Sequence, residues 1–84
     1  MYKEKDALKM VQNRIHKVLD KSQPKPTNIE VVVVWAGYIL GNEKYLITTN
    51  LPDGKYYEVT YNKNSDEMYL DEYVKIHNEG RKCV

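Results

Sequence analysis

Hydrophobic and polar positions alternate in three distinct ways along this chain. From Glu4 to Asp20 the apolar residues Ala7, Leu8, Val11, Ile15, Val18 and Leu19 recur at steps of three and four, which places them on one stripe of a helix. That predicts an amphipathic first helix within residues 1–21. The segment Ser22-Gln23-Pro24-Lys25-Pro26-Thr27 then ends it, because proline cannot continue a helix, and residues 22–28 read as a semi-rigid linker. From Ile29 the pattern turns β-branched, and the run Val31-Val32-Val33-Val34 fills a strand far better than a helix.

Two turn signals follow. Gly41-Asn42 offers the positive-φ dipeptide of a two-residue hairpin, so Lys44 to Thr49 returns antiparallel to the first strand. Asn50-Leu51-Pro52-Asp53-Gly54 marks a second turn before a third strand, Lys55 to Tyr61. Residues 29–61 are thus expected to form a three-stranded meander. Beyond Asn62-Lys63-Asn64-Ser65, Tyr69, Tyr73 and Ile76 with Leu70 and Val74 again recur at steps of three and four. Ser65 or Asp66 would cap a second helix over residues 65–80, with Gly80 as its stop. An alternative makes residues 67–70 a short fourth strand, with Asp71 capping a shorter helix. The expected fold is a single α+β domain over residues 1–84, in the order α-β-β-β-α.

Placing the turn at Gly41-Asn42 sets Tyr38 opposite Tyr45 and Ala36 opposite Ile47. One sheet face then holds Val31, Val33, Trp35, Ile39, Leu46, Thr48, Tyr57, Val59 and Tyr61, and the two helices are expected to cover it. The other holds Glu30, Val32, Val34, Ala36, Tyr38, Leu40, Tyr45, Ile47, Tyr56, Glu58 and Thr60. That second face is too apolar for water alone, so Tyr38, Tyr45, Ile47 and Tyr56 are its candidate interface residues. A second copy of the chain, making a homodimer, or a host protein would cover it.

Composition narrows the chemistry. The chain has 84 residues, and a chain so short hides only about 60–65% of its unfolded surface, which leaves little room for a deep active site. It carries 13 Lys+Arg against 12 Asp+Glu, but unevenly: residues 1–26 hold seven bases against three acids and the remainder six against nine. The basic face of the first helix, Lys5, Lys9, Arg14 and Lys17, together with Lys44 near the aromatic residues, is an alternative site for nucleic acid or a nucleotide. The double-stranded-RNA-binding domain shares the helix–three strands–helix order, but its second helix grips phosphate with lysines, where this chain has Asp66, Glu67, Asp71 and Glu72.

The residues contain no GxSxG, Walker or GxGxxG motif, and His16 and His77 lie apart with no ligand spacing around them, so no catalytic residue, metal site or cofactor is expected. Glu30 and Glu58 share a face in this reading and form the one carboxylate pair available for acid–base work, with no cleft to hold a substrate. Cys83, the only cysteine, excludes an internal disulfide and fits a reducing cytoplasm. The N-terminus lacks the basic-then-apolar order of a signal peptide, and the longest apolar run, Val31 to Ala36, is far too short to span a bilayer.

Three stretches carry a resemblance: Ile29 to Trp35, Thr49 to Asn62, and Glu67 to Tyr73. The run Asp53-Gly54-Lys55-Tyr56-Tyr57-Glu58-Val59-Thr60-Tyr61-Asn62 is its most distinctive part. Over residues 29–78 the chain resembles a family of small uncharacterised phage and prophage proteins of Gram-positive bacteria. The resemblance implies a phage-encoded accessory protein in the cytoplasm of an infected or lysogenic host, and it transfers no catalytic residue. The sequence thus points to a non-enzymatic binding module.

Overall fold

The computed structural model describes residues 3–19, 29–52 and 54–82. Helix α1 (Glu4–Leu19) is followed by strands β1 (Val31–Ile39), β2 (Asn42–Thr49), β3 (Lys55–Asn62) and β4 (Glu67–Val74). The strands form one antiparallel sheet in the order β1-β2-β3-β4. The linker expected over residues 22–28, and Cys83, lie outside the described residues. Among those residues no helix is long and apolar enough to cross a membrane.

The α+β class holds, but the α-β-β-β-α order does not. Where a C-terminal helix over residues 65–80 was expected, the chain makes a fourth full strand, and residues 75–82 take no regular form. Two physical reasons stand out. Steps of three and four across eight residues overlap with steps of two, and here the two-residue period wins: Met68, Leu70 and Glu72 are half-buried while Glu67, Tyr69, Asp71 and Tyr73 are exposed. The capping candidate is also taken. Asn62 Oδ1 accepts from the Asn64 N–H at 2.9 Å, the Tyr61 hydroxyl is 2.7 Å from Asp66 Oδ1, and Asp66 adopts a left-handed φ of 53°. That geometry closes a hairpin loop and is not that of a helix N-cap. The alternative fourth strand at 67–70 is closer to what forms, although it runs on to Val74 and no helix follows it.

The first hairpin also turns one residue earlier than expected. Its central residues are Leu40 and Gly41, with φ of 52° and 81°, which is the left-handed pair that a two-residue hairpin requires. Consequently Tyr38 pairs with Glu43 and Ala36 with Tyr45. A register shift between Val33 and Trp35 makes Val34 the extra residue of a β-bulge. The bulge reverses the alternation: Val31 and Val33 point to one side, Trp35, Gly37 and Ile39 to the other. On β3, Tyr57 faces Ile47 and Val59 faces Tyr45.

Helix α1 lies across one face only. Its Ala7, Val11 and Ile15 pack on Tyr45, Ile47, Tyr57 and Val59 in a single core, with Val31, Val33, Ala36, Met68 and Leu70 around it. The N-terminus of α1 is tied down by β2. The Lys3 N–H donates to the Tyr45 hydroxyl at 2.8 Å and reaches Glu43 Oε1 at 3.2 Å, and the Tyr45 hydroxyl donates to that same Oε1. Lys63 Nζ stands 3.8 Å from Glu43 Oε2. A buried carboxylate at a helix N-terminus is favoured by the helix dipole and by the amides there.

Candidate functional site

With one helix on one side, the opposite face of the sheet is left without any described element over it. The strand register assigns its residues. Trp35 and Leu46 lie in one row with Glu58 and Asp71; Lys44, Thr60 and Tyr69 form the row on one side of it, and Tyr56 and Tyr73 pair on the other. Trp35 and Tyr69 are each 49% exposed, and Val32, Ile39, Tyr56 and Tyr73 are exposed as well. Sheet faces meant only for water are polar, whereas this one is largely aromatic and aliphatic.

The aromatic rings are held in place by their neighbours. Trp35 and Gly37 are two apart on the same side of β1, and a Cβ at Gly37 would come within 2.6 Å of the Trp35 ring. The indole therefore lies down over the glycine backbone, a position that no larger residue at 37 would leave open. Tyr56 and Tyr73, cross-strand partners, stack with centroids 5.0 Å apart and planes 15° from parallel. Beside Trp35, on the side away from the stacked tyrosines, is a shallow hollow of about 160 Å³ lined by Trp35, Ile39, Lys44, Tyr45, Leu46 and Glu58.

Charge on this face is weighted toward carboxylates. Lys44 Nζ is held 2.7 Å from Glu58 Oε1, and this hydrogen bond raises the ammonium's pKa above its usual value. Asp71 and Glu67 add two further carboxylates, giving one ammonium against three acids. The field reaches the rings. Glu58 pushes the Tyr73 phenol up, with burial and Asp71 acting in the same direction, and Glu67 pushes Tyr69 up.

The residues expected from sequence to share one interface are divided by the sheet. Tyr56 is on the open face. Tyr45 and Ile47 are fully buried beneath α1, and burial with the Glu43 hydrogen bond raises the Tyr45 phenol well beyond the usual phenol range. Tyr38 is exposed on the helix side, with Lys63 Nζ 5.2 Å from its ring centroid. The face assignment is therefore corrected: Ala36, Tyr38, Tyr45 and Ile47 face α1, whereas Trp35, Ile39 and Leu46, assigned to the covered face, are on the open one. The early turn moves the β1–β2 pairing by two residues and changes no face. The bulge in β1 and the pairing of Tyr57 with Ile47, which sets Tyr57 and Val59 beside Tyr45 rather than Leu46, each shift the alternation by one position, and one position is enough to move a side chain through the sheet.

The alternative basic set is divided too. Lys5, Lys9, Arg14 and Lys17 are exposed on α1, and Arg14 Nε is bound to Glu72 Oε1 at 3.2 Å; Lys44 lies on the other side of the sheet, held by Glu58. Glu30 precedes β1, its N–H bonded to Asn50 Oδ1 at 3.0 Å, and Glu58 is engaged by Lys44. Among the described residues no group of three or more His, Cys, Asp or Glu side chains is gathered as a metal site. The open-face residues that sequence reasoning missed are Trp35, Ile39, Leu46, Tyr69 and Tyr73. The two-residue period of Glu67–Val74 and the Trp-x-Gly spacing were the signals that could have found them.

Fold and face define a class: a small α+β domain with one helix on one side of a four-stranded meander and, on the other, an aromatic surface with no described element over it. The chain belongs to the family of unknown function DUF6275, whose model matches residues 4–83. No curated protein and no solved structure matches it.

Proposed function

We propose that this protein is a phage-type accessory protein of the bacterial cytoplasm that works without catalysis, by holding a host protein against the open face of its sheet. The observation that carries this reading is the exposure of Trp35, Tyr56, Tyr69 and Tyr73 together on one rigid face. Trp and Tyr dominate the energetics of protein interfaces because they bury a large area at small cost in side-chain entropy. The carboxylates around them favour a partner that presents Lys or Arg, whose cations are drawn to the rings as well as to Glu58 and Asp71. The same charges disfavour a phosphate ligand, and the lysines offered for one are on opposite sides of the sheet. The phage origin and the compartment are supported by the resemblance of residues 29–78 alone.

Affinity capture from a lysate of the bacterial host tests this. The wild-type chain is expected to retain a discrete host protein, and Trp35→Ala and Tyr73→Ala each to weaken that retention by about thirtyfold, the effect of losing a central aromatic anchor. Retention should also fall as salt is raised, because a basic partner is drawn partly by charge. Equal retention by the variants, with circular dichroism unchanged, overturns the reading.

A further inference from the structure

Strand β1 is an outer strand of the sheet, and its outer edge has no partner among the described residues. Its sequence, Val31-Val32-Val33-Val34-Trp35-Ala36-Gly37-Tyr38-Ile39, contains no charge and no proline. Natural edge strands are normally guarded by such residues, because a row of unpaired N–H and C=O groups recruits another strand. The opposite edge, β4, is guarded in this way by Glu67, Asp71 and Glu72. On β1 the one guard is the bulge at Val34, which leaves Trp35–Ile39 as a regular, uncharged arm.

We propose that this arm pairs antiparallel with the same arm of a second copy, across a two-fold axis at Gly37. The residues are self-complementary about that point. Trp35 falls opposite Ile39 of the second copy on the open face, Ala36 falls opposite Tyr38 on the helix side, and glycine meets glycine at the axis, so each large side chain meets a smaller one. Self-pairing at β1 opposes no like charges, whereas self-pairing at β4 would bring carboxylates together. The product is one eight-stranded sheet whose two open faces are continuous, with both Trp35 rings near its centre. This goes beyond the proposed partner face, because the pairing uses the backbone edge of β1 rather than the side chains of the sheet face.

The test is light scattering and amide hydrogen exchange on the full chain over a micromolar-to-submillimolar range. The expected particle has twice the 9.9 kDa chain mass, with exchange at residues 35–39 slowing as concentration rises. Ile39→Asp should raise the dimer dissociation constant by at least about tenfold, while Tyr73→Ala, on the far strand, leaves it unchanged. A monomer throughout, or exchange at 35–39 independent of concentration, overturns the proposal; the exchange measurement decides even if Ile39→Asp does not fold. Loss of the dimer in Tyr73→Ala but not in Ile39→Asp assigns the contact to the open face and also overturns it. A wild-type monomer that still captures its host protein refutes the edge and leaves the face standing.

Discussion

Leu40 holds a backbone conformation that its side chain opposes. Its φ of 52° crowds Cβ against the following carbonyl, and the side chain is 98% exposed, so nothing in the fold compensates. The hairpin needs left-handed φ at two successive positions; Gly41 supplies one freely, and the other falls on leucine because Asn42 already belongs to β2. Asparagine tolerates that region better, so Leu40→Asn should stabilise the protein by about 0.5–1 kcal/mol. Urea denaturation checks this, and a lower midpoint would count against it. The same residues show why the sequence misplaced the turn: Gly41-Asn42 is the stronger local signal, but cross-strand pairing chose Leu40-Gly41, which brings Ala36 and Tyr45 together under α1.

Helix and strand meet in one ion cluster. Arg14 of α1 donates from Nε to Glu72 Oε1 of β4 at 3.2 Å, and Lys55 Nζ of β3 is 3.6 Å from Glu72 Oε2. The Arg14 hydrogen bond is the main influence that holds the Glu72 carboxyl below its ordinary value of 4.5, and Lys55 acts in the same direction. A carboxyl whose folded pKa is depressed adds stability that is fully present above its unfolded pKa and lost as pH falls through the folded one. Glu72→Gln should therefore cost about 0.5–1 kcal/mol at neutral pH, the part-exposed setting keeping it small, and the gap from wild type should close in acid. Denaturation curves at neutral and acidic pH test this; a gap that widens in acid refutes it. β4 itself was half legible. Its hydrophobic steps satisfied both periods, and only the demand of β3 for a hydrogen-bonded neighbour, with Asp66 bound by Tyr61, selected the strand.

The molecule as a whole has two layers and a single core between them, so α1 and the sheet should unfold together. Ile15 is 3% exposed in that core, and Ile15→Ala should cost about 2–5 kcal/mol. Set against the about 4–13 kcal/mol typical of a chain this size, that is a large share of total stability. Calorimetry should show one transition, lowered in the variant; two separate transitions would mean that α1 and the sheet are independent. Among the described residues one helix covers one face, and the candidate site lies on the face it leaves.

Some of this was fixed locally. The helical stripe of α1, the β-branched opening of β1 and the meander of β1 to β3 follow from spacing and side-chain type, which act over a few residues. The side of the sheet on which each aromatic lies does not. It depends on the register that pairs Ile47 with Tyr57 and on one inserted residue at Val34, and both are settled by burial of Tyr45 and Ile47 against α1, far away in sequence. Local pattern determined which elements form up to Asn62, because propensity and periodicity are short-range. Tertiary packing determined the fourth strand and the open face, because a strand's phase and its neighbour are chosen by the whole core at once.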